Sequence, residues 1–202
     1  MYKLLKNYIT LFLCFFIFNC TKSFNNQNIK VVELNNIAKI EGNHSIYIAK
    51  EKLKLIREFN SEDCESWAVN LDLDSVYRAS LKNLFQKMFV DISFSENRLS
   101  KTEIEENKLV SQISIIHNNA LSTFKTERNT AKFNINMSAE VEILSPKKSI
   151  LNKIESNRNW GKNIYFDCKL QEGALKTGQE TLEKLITQIY HTTYESLYKV
   201  TR

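Results

Sequence analysis

"KFNINMSAEVEI", residues 132–143, decides the fold. Phe133, Ile135, Met137, Ala139, Val141 and Ile143 alternate with Lys132, Asn134, Asn136, Ser138, Glu140 and Glu142. Side chains of a strand point to opposite faces in turn, so this period of two describes a strand with one apolar and one wet face. One-sided strands of this kind belong to antiparallel sheets, whose second face stays solvated. The apolar face needs a cover, and the rest of the chain must supply it.

C-terminal to this strand, "SPKKS" (145–149) reads as a turn and "ILNKIE" (150–155) as a returning hairpin strand. "SNRNWGKNIYFDCKLQEGA" (156–174) reads as irregular. A helix is expected to begin at Thr177, where "TGQE" places Glu180 three residues later as a capping box. Its buried stripe is Leu182, Leu185, Ile186, Ile189, Thr193 and Leu197.

On the N-terminal side, "KLVSQISIIHNNAL" (108–121) reads as a strand with Leu109, Ser111, Ile113 and Ile115 on one side. "ENRLSKTEIEENK" (96–108) reads as a polar loop and "FVDISFS" (89–95) as a strand. Between Asp74 and about residue 90 the period becomes helical, with Tyr77, Leu81, Leu84, Phe85 and Met88 on one face. Asp72, Asp74 and Ser75 supply cap candidates there. "HSIYIAK" (44–50) is a short strand, and "EKLKLIREFNSEDCESW" (51–67) carries no decisive period. The order β, α, β, β, β, α, with "ILNKIE" returning beside the last of these strands, predicts an α+β fold, a mostly antiparallel sheet with two amphipathic helices packed on one face.

The chain opens differently. "ITLFLCFFIFNC" (9–20) follows Lys3 and Lys6 and stops at Cys20. An apolar helix of ~11 residues is ~16 Å long, about half of a ~30 Å hydrocarbon core, so a secretory signal fits better than a span. "IFNC" resembles a bacterial lipobox, with Ile17 at the aliphatic position. That resemblance makes Cys20 the acylated first residue of the mature protein, and several acyl chains hold a membrane stably. The alternative is an ordinary signal peptide, or an uncleaved anchor, with an incidental cysteine. Thr21, where the resemblance would place Asp in an inner-membrane lipoprotein, favours the periplasmic face of the outer membrane. Expected boundaries are a signal over 1–19, a polar tether over 20–44 and a single domain over 45–202.

The 202 residues carry 28 Lys and Arg against 23 Asp and Glu. Without Lys3 and Lys6 the formal +5 falls to +3. That charge is small and scattered, which argues against a nucleic-acid partner. Of four cysteines, Cys14 leaves with the signal and Cys20 takes the lipid. Cys64 and Cys168 remain, either as a disulfide in an oxidising compartment or as two unrelated thiols.

Chemistry-bearing patterns are scarce. His44, His117 and His191 have no second ligand at metal spacing, so no metal or cofactor is expected. No nucleophile elbow, P-loop, dinucleotide fingerprint or zinc-protease motif occurs, and catalysis is not expected. Glu62, Asp63 and Glu65 around Cys64 read as a solvated loop. Arg158, Trp160, Lys162, Tyr165 and Phe166 are the candidate partner contact, because aromatics beside basic residues in a loop suit an interface.

Signal, cysteine, tether, helix, alternating strands and closing helix together resemble small proteobacterial envelope lipoproteins. Similar in layout are the YajG-type lipoproteins, the auxiliary lipoproteins of ABC-type transport systems and the lipopolysaccharide-assembly lipoprotein. "DLDSVYRASLKNLF", "FKTERNTAKFNINMSAEVEI" and "TGQETLEKLITQIY" are the runs that carry the resemblance. It implies no catalytic residue. It implies a lipid-anchored docking or assembly subunit of an envelope complex, with the membrane and an envelope protein as partners. The alternative is a module that binds a lipid or small molecule for an envelope transport system.

Overall fold

The computed structural model describes residues 30–53, 55–59, 73–127, 130–163 and 170–201. Among them are six strands and three helices. The strands are β1 (Ile40–Ile48), β2 (Leu55–Phe59), β3 (Phe89–Ser95), β4 (Ser111–Glu127), β5 (Thr130–Leu144) and β6 (Ser149–Asn163). The helices are α1 (Asp74–Met88), α2 (Lys101–Glu106) and α3 (Leu170–Thr201). All strands form one sheet in the order β3-β1-β4-β5-β6, with β2 also paired to β4. The long meander β4-β5-β6 is antiparallel, whereas β1 pairs parallel with β3 and β4, and β2 parallel with β4. This is the α+β fold expected from the sequence.

β5 behaves as its alternation demands. Ala131, Phe133, Ile135, Met137, Ala139, Val141 and Ile143 are all buried, and their neighbours on the other face are not. Over the buried face lie α1, through Tyr77, Leu81, Leu84, Phe85 and Met88, and α3, through Leu182, Leu185, Ile186, Ile189 and Leu197. One cluster joins both helices to the sheet. Burial of each such large side chain contributes about 1.5–3 kcal/mol before the entropy of ordering is counted.

β4 changes phase midway. Ile113 and Ile115 face the helices, and so do Ala120, Ser122 and Phe124, which stand at the opposite parity. A bulge between Ile116 and Asn119 inserts the extra residue that makes this possible, with His117 at φ 51°. A bulge puts two residues against one and bends its strand. The edge partner breaks at the same place. β1 ends opposite Ile115 and β2 starts opposite Ala120. The Tyr77 hydroxyl donates to Asn118 Oδ1 at 2.8 Å, tying α1 to the bulge. Burial raises the Tyr77 phenol far above its ordinary range.

Several expectations need correction. The "tether" does not extend to residue 44: Val32 is buried, its N–H donates to Ser80 Oγ at 2.9 Å, and β1 already begins at Ile40. Residues 156–163 are not irregular but continue β6, because β5 offers an equally long partner. α3 starts at Leu170, so Thr177 is inside the helix and caps nothing. Its Oγ1 donates to the Gly173 carbonyl at 2.7 Å, a bond Thr makes within helices. α1 has no side-chain cap at all. Asp74 instead accepts the Leu53 N–H and the Arg78 Nε–H, both at 2.9 Å.

The polar loop 96–108 contains a helix. Ser100 Oγ accepts the Glu103 N–H at 3.3 Å, and Glu103 Oε2 accepts the Ser100 N–H at 2.7 Å, a complete capping box on α2. The Ser100 N–H, and the Ser100 hydroxyl at 2.8 Å, donate to the Glu103 carboxylate and hold it below its usual range. α2 lays Ile104, fully buried, over one end of the sheet, where Gln112 Oε1 accepts the Leu99 N–H at 2.7 Å.

Candidate functional site

The face of the sheet turned away from α1 and α3, free of helix except at the end that α2 covers, is built by the even residues of β5 and their register partners. Along β5 it runs Glu142, Glu140, Ser138, Asn136, Asn134, Lys132, from acidic through amide to basic. At the acidic end α2 and its flanks give cover, and Arg98 pairs with Glu142. At the basic end the face is open. There Lys125 and Lys132 are direct cross-strand neighbours, as are Thr123 and Asn134, and Asn134 and Asn159.

Asn134 Nδ2 donates to Asn157 Oδ1 at 3.2 Å and also to Asn159 Oδ1. This cross-strand amide ladder holds the side chains flat on the sheet. A groove of about 460 Å³ is lined there by Thr123, Lys125, Lys132, Asn134, Asn159 and Trp160, among others. It offers amide and hydroxyl groups and two ammonium groups. Beside it runs β6, the border strand, which has no further strand outside it among the described residues. A border strand leaves backbone donors and acceptors for an incoming chain.

Of the contact residues expected from sequence, Arg158, Trp160 and Lys162 lie in β6, not in a loop. Arg158 is exposed. Trp160 is half-buried on the helix side and packs on the core. Its ring rests on Gly173 of α3, where an added Cβ would stand 2.6 Å from Cδ2 and 2.7 Å from Cζ2. Trp160 therefore supports the groove from beneath and belongs largely to the core. Tyr165, Phe166, Cys20, Cys64 and Cys168 lie outside the described residues. Lys125, Lys132 and Asn159 were not singled out from sequence. Their nearness follows from strand register across three strands, and no local pattern carries it.

The histidines are dispersed. His44 is fully buried, its Nδ1 3.0 Å from Ser111 Oγ and its Nε2 3.2 Å from the Glu41 carbonyl. Desolvation lowers its pKa, partly opposed by the Glu41 bond. His117 sits on the bulge, 4.0 Å from Glu140. His191 is exposed on α3 beside Tyr190. No cluster that could hold a metal ion occurs among the described residues.

No protein-family model matches the chain, and no curated protein matches it. Solved structures of related outline include a Xanthomonas campestris protein of the DUF330 family. Its TM-score is 0.46 at 7% identity, covering 87% of this chain and 99% of that one. Another is a minor lipoprotein from Acinetobacter baumannii, with TM-score 0.41 at 8% identity, covering 76% of this chain and 91% of that one. At identities and TM-scores this low no residue role transfers.

Proposed function

We propose that this chain is a lipid-anchored accessory subunit of a bacterial cell envelope, held through Cys20 at the periplasmic face of the outer membrane, and that it works by docking a protein partner. The observation that carries docking is the open basic end of the sheet. There a border strand of 15 residues runs beside a groove with Lys125, Lys132 and an asparagine ladder. Backbone groups on the border give affinity to an extended segment, and the side chains beside them give selectivity. The lipid confines the domain to a surface, which raises the local concentration of weak partners.

A photo-crosslinking residue at Asn159 of the acylated full-length protein, irradiated in intact envelopes, tests the contact. A discrete adduct from Asn159, with none from Val90 near the opposite border, is expected. Equal adducts from both positions, or none from either, would overturn docking at this site. The anchor is tested separately: metabolic fatty-acid labelling should mark the natural protein and spare Cys20→Ser.

A further inference from the structure

The outer flank of α3 changes character along its length. Its first half is charged, with Lys176, Glu180, Glu183 and Lys184. Its last turns carry Tyr190, Tyr194 and Tyr198 at successive i, i+4 positions, with Tyr194 44% and Tyr198 54% exposed. Tyr190 and Tyr194 lie 6.3 Å apart between centroids. Glu195 and Lys199 join Tyr194 and Tyr198 around a hollow of about 410 Å³. The Lys148 ammonium reaches the Lys199 carbonyl at 3.3 Å, which adds a second cation to Lys199 at this helix end.

The N-terminal segment meets the same flank. Lys30 N–H donates to Gln179 Oε1 at 2.8 Å, and Gln179 Nε2 donates back to the Lys30 carbonyl at 3.3 Å. Residues Lys30–Leu34 form a groove with α3 that reaches Thr187, one turn before Tyr190 and His191. The chain thus enters the domain on the side that bears the tyrosines. Lys30 lies ten residue steps beyond Cys20, a leash of at most ~35 Å. Gln179 and Tyr194 are 15 residues apart on one helix, or ~22 Å along its axis. A leash attached at the Gln179 end therefore allows the whole flank to reach the plane in which the lipid sits.

We infer that the tyrosine-bearing flank of α3 seats against the headgroup layer of an anionic bilayer. The inference rests on the proposed Cys20 anchor. Tyrosine suits this position because its ring enters the interface while its hydroxyl stays wet. At the tyrosine-bearing last turns, Lys148 and Lys199 add attraction to anionic lipid that exceeds the opposing charge of Glu195, the one acid of these turns among the described residues. This orientation turns the open basic end of the sheet, on the other side of the molecule, away from the membrane and toward a protein partner.

Acylated full-length protein reconstituted in phosphatidylethanolamine and phosphatidylglycerol vesicles, and separately in phosphatidylcholine vesicles, tests this by hydroxyl-radical footprinting. Oxidation of Tyr194 and Tyr198, relative to exposed Leu151 on the opposite face of the sheet, should fall several-fold on the anionic vesicles. Lys148→Glu with Lys199→Glu should restore it. A protein that neither carries the acyl mass nor floats with vesicles overturns the anchor and this placement with it. A protein that floats while both tyrosines stay fully reactive on anionic vesicles overturns the placement alone. Protection that is equal on both lipids and grows with protein density assigns the flank to a second copy and also overturns it.

Discussion

The two ends of the sheet face turned away from α1 and α3 share the same three strands and differ in almost everything else. At the α2 end, Ile104, Gln112 and Ser114 are buried, and side-chain bonds tie the 97–100 segment down. At the far end, Lys125, Lys132, Asn157 and Asn159 meet water over an open groove. A sheet face needs cover only where its side chains or its packing make water costly. β5 shows the gradient within one strand: Glu142, at the covered end, pairs with Arg98, and Lys132, at the open end, is exposed opposite Lys125 in the register. The open end thus keeps charged and amide side chains in water without cover, whereas the α2 end buries its own. That is a reason to look for function there and for stability at the other end.

The sharpest break between the two ends should come from Ile104→Ala. It removes a fully buried side chain under α2 and should cost about 2–5 kcal/mol in chemical denaturation. If it costs no more than an open-end substitution, α2 is not a true cover.

Gly173→Ala sharpens the boundary beneath the open end. Alanine favours a helix by about 1 kcal/mol over glycine, yet here its methyl would meet the Trp160 ring. Net destabilisation of about 1–2 kcal/mol is expected from overpacking, and a rise in the unfolding midpoint would mean that Trp160 does not rest on the helix.

Ser100→Ala should cost about 1 kcal/mol by removing the α2 cap, with faster hydrogen exchange confined to residues 99–106 and unchanged at Asn159.

His44, on the α1 side of the sheet against Phe89, lends the fold a pH dependence. Its folded pKa lies below the ordinary 6.5 because burial disfavours the charged ring. As pH falls, the unfolded chain takes up this proton first, so stability is intact above about 6.5 and declines from there toward the folded pKa. Denaturation midpoints just below pH 6.5 should therefore fall less steeply in His44→Gln than in the natural protein.

The smallest effect belongs to the open end. Lys132→Ala should change stability by no more than about 0.5 kcal/mol while weakening the Asn159 crosslink. A larger loss would mean that this surface, too, is structural.

Some of this was legible in the residues. The alternation of β5, the helical stripes of α1 and α3, and the antiparallel hairpin at "SPKKS" all depend on periodicity, and each structure keeps to that period for the simple reason that apolar side chains must share one face. Two Ser/Thr-x-x-Glu patterns show where local reading stops. "SKTE" at 100–103 caps a helix, and "TGQE" at 177–180 lies inside one. Both satisfy the same local rule. The difference is that Ala174, Thr177 and Trp160 bury the turns before residue 177 against the sheet, and packing then extends the helix past a usable cap.

What the sequence determined alone was the fold class, the identity of the buried stripes and the wet character of one β5 face, all consequences of short-range period and hydrophobicity. What tertiary structure alone decided was register. The bulge at His117 inverts the parity of β4, lets β1 and β2 share one edge, and sets Lys125 beside Lys132 and Asn134 beside Asn159 across the ladder. Register is a long-range property: it minimises exposed apolar area summed over all the strands and both helices, and no single segment carries that sum.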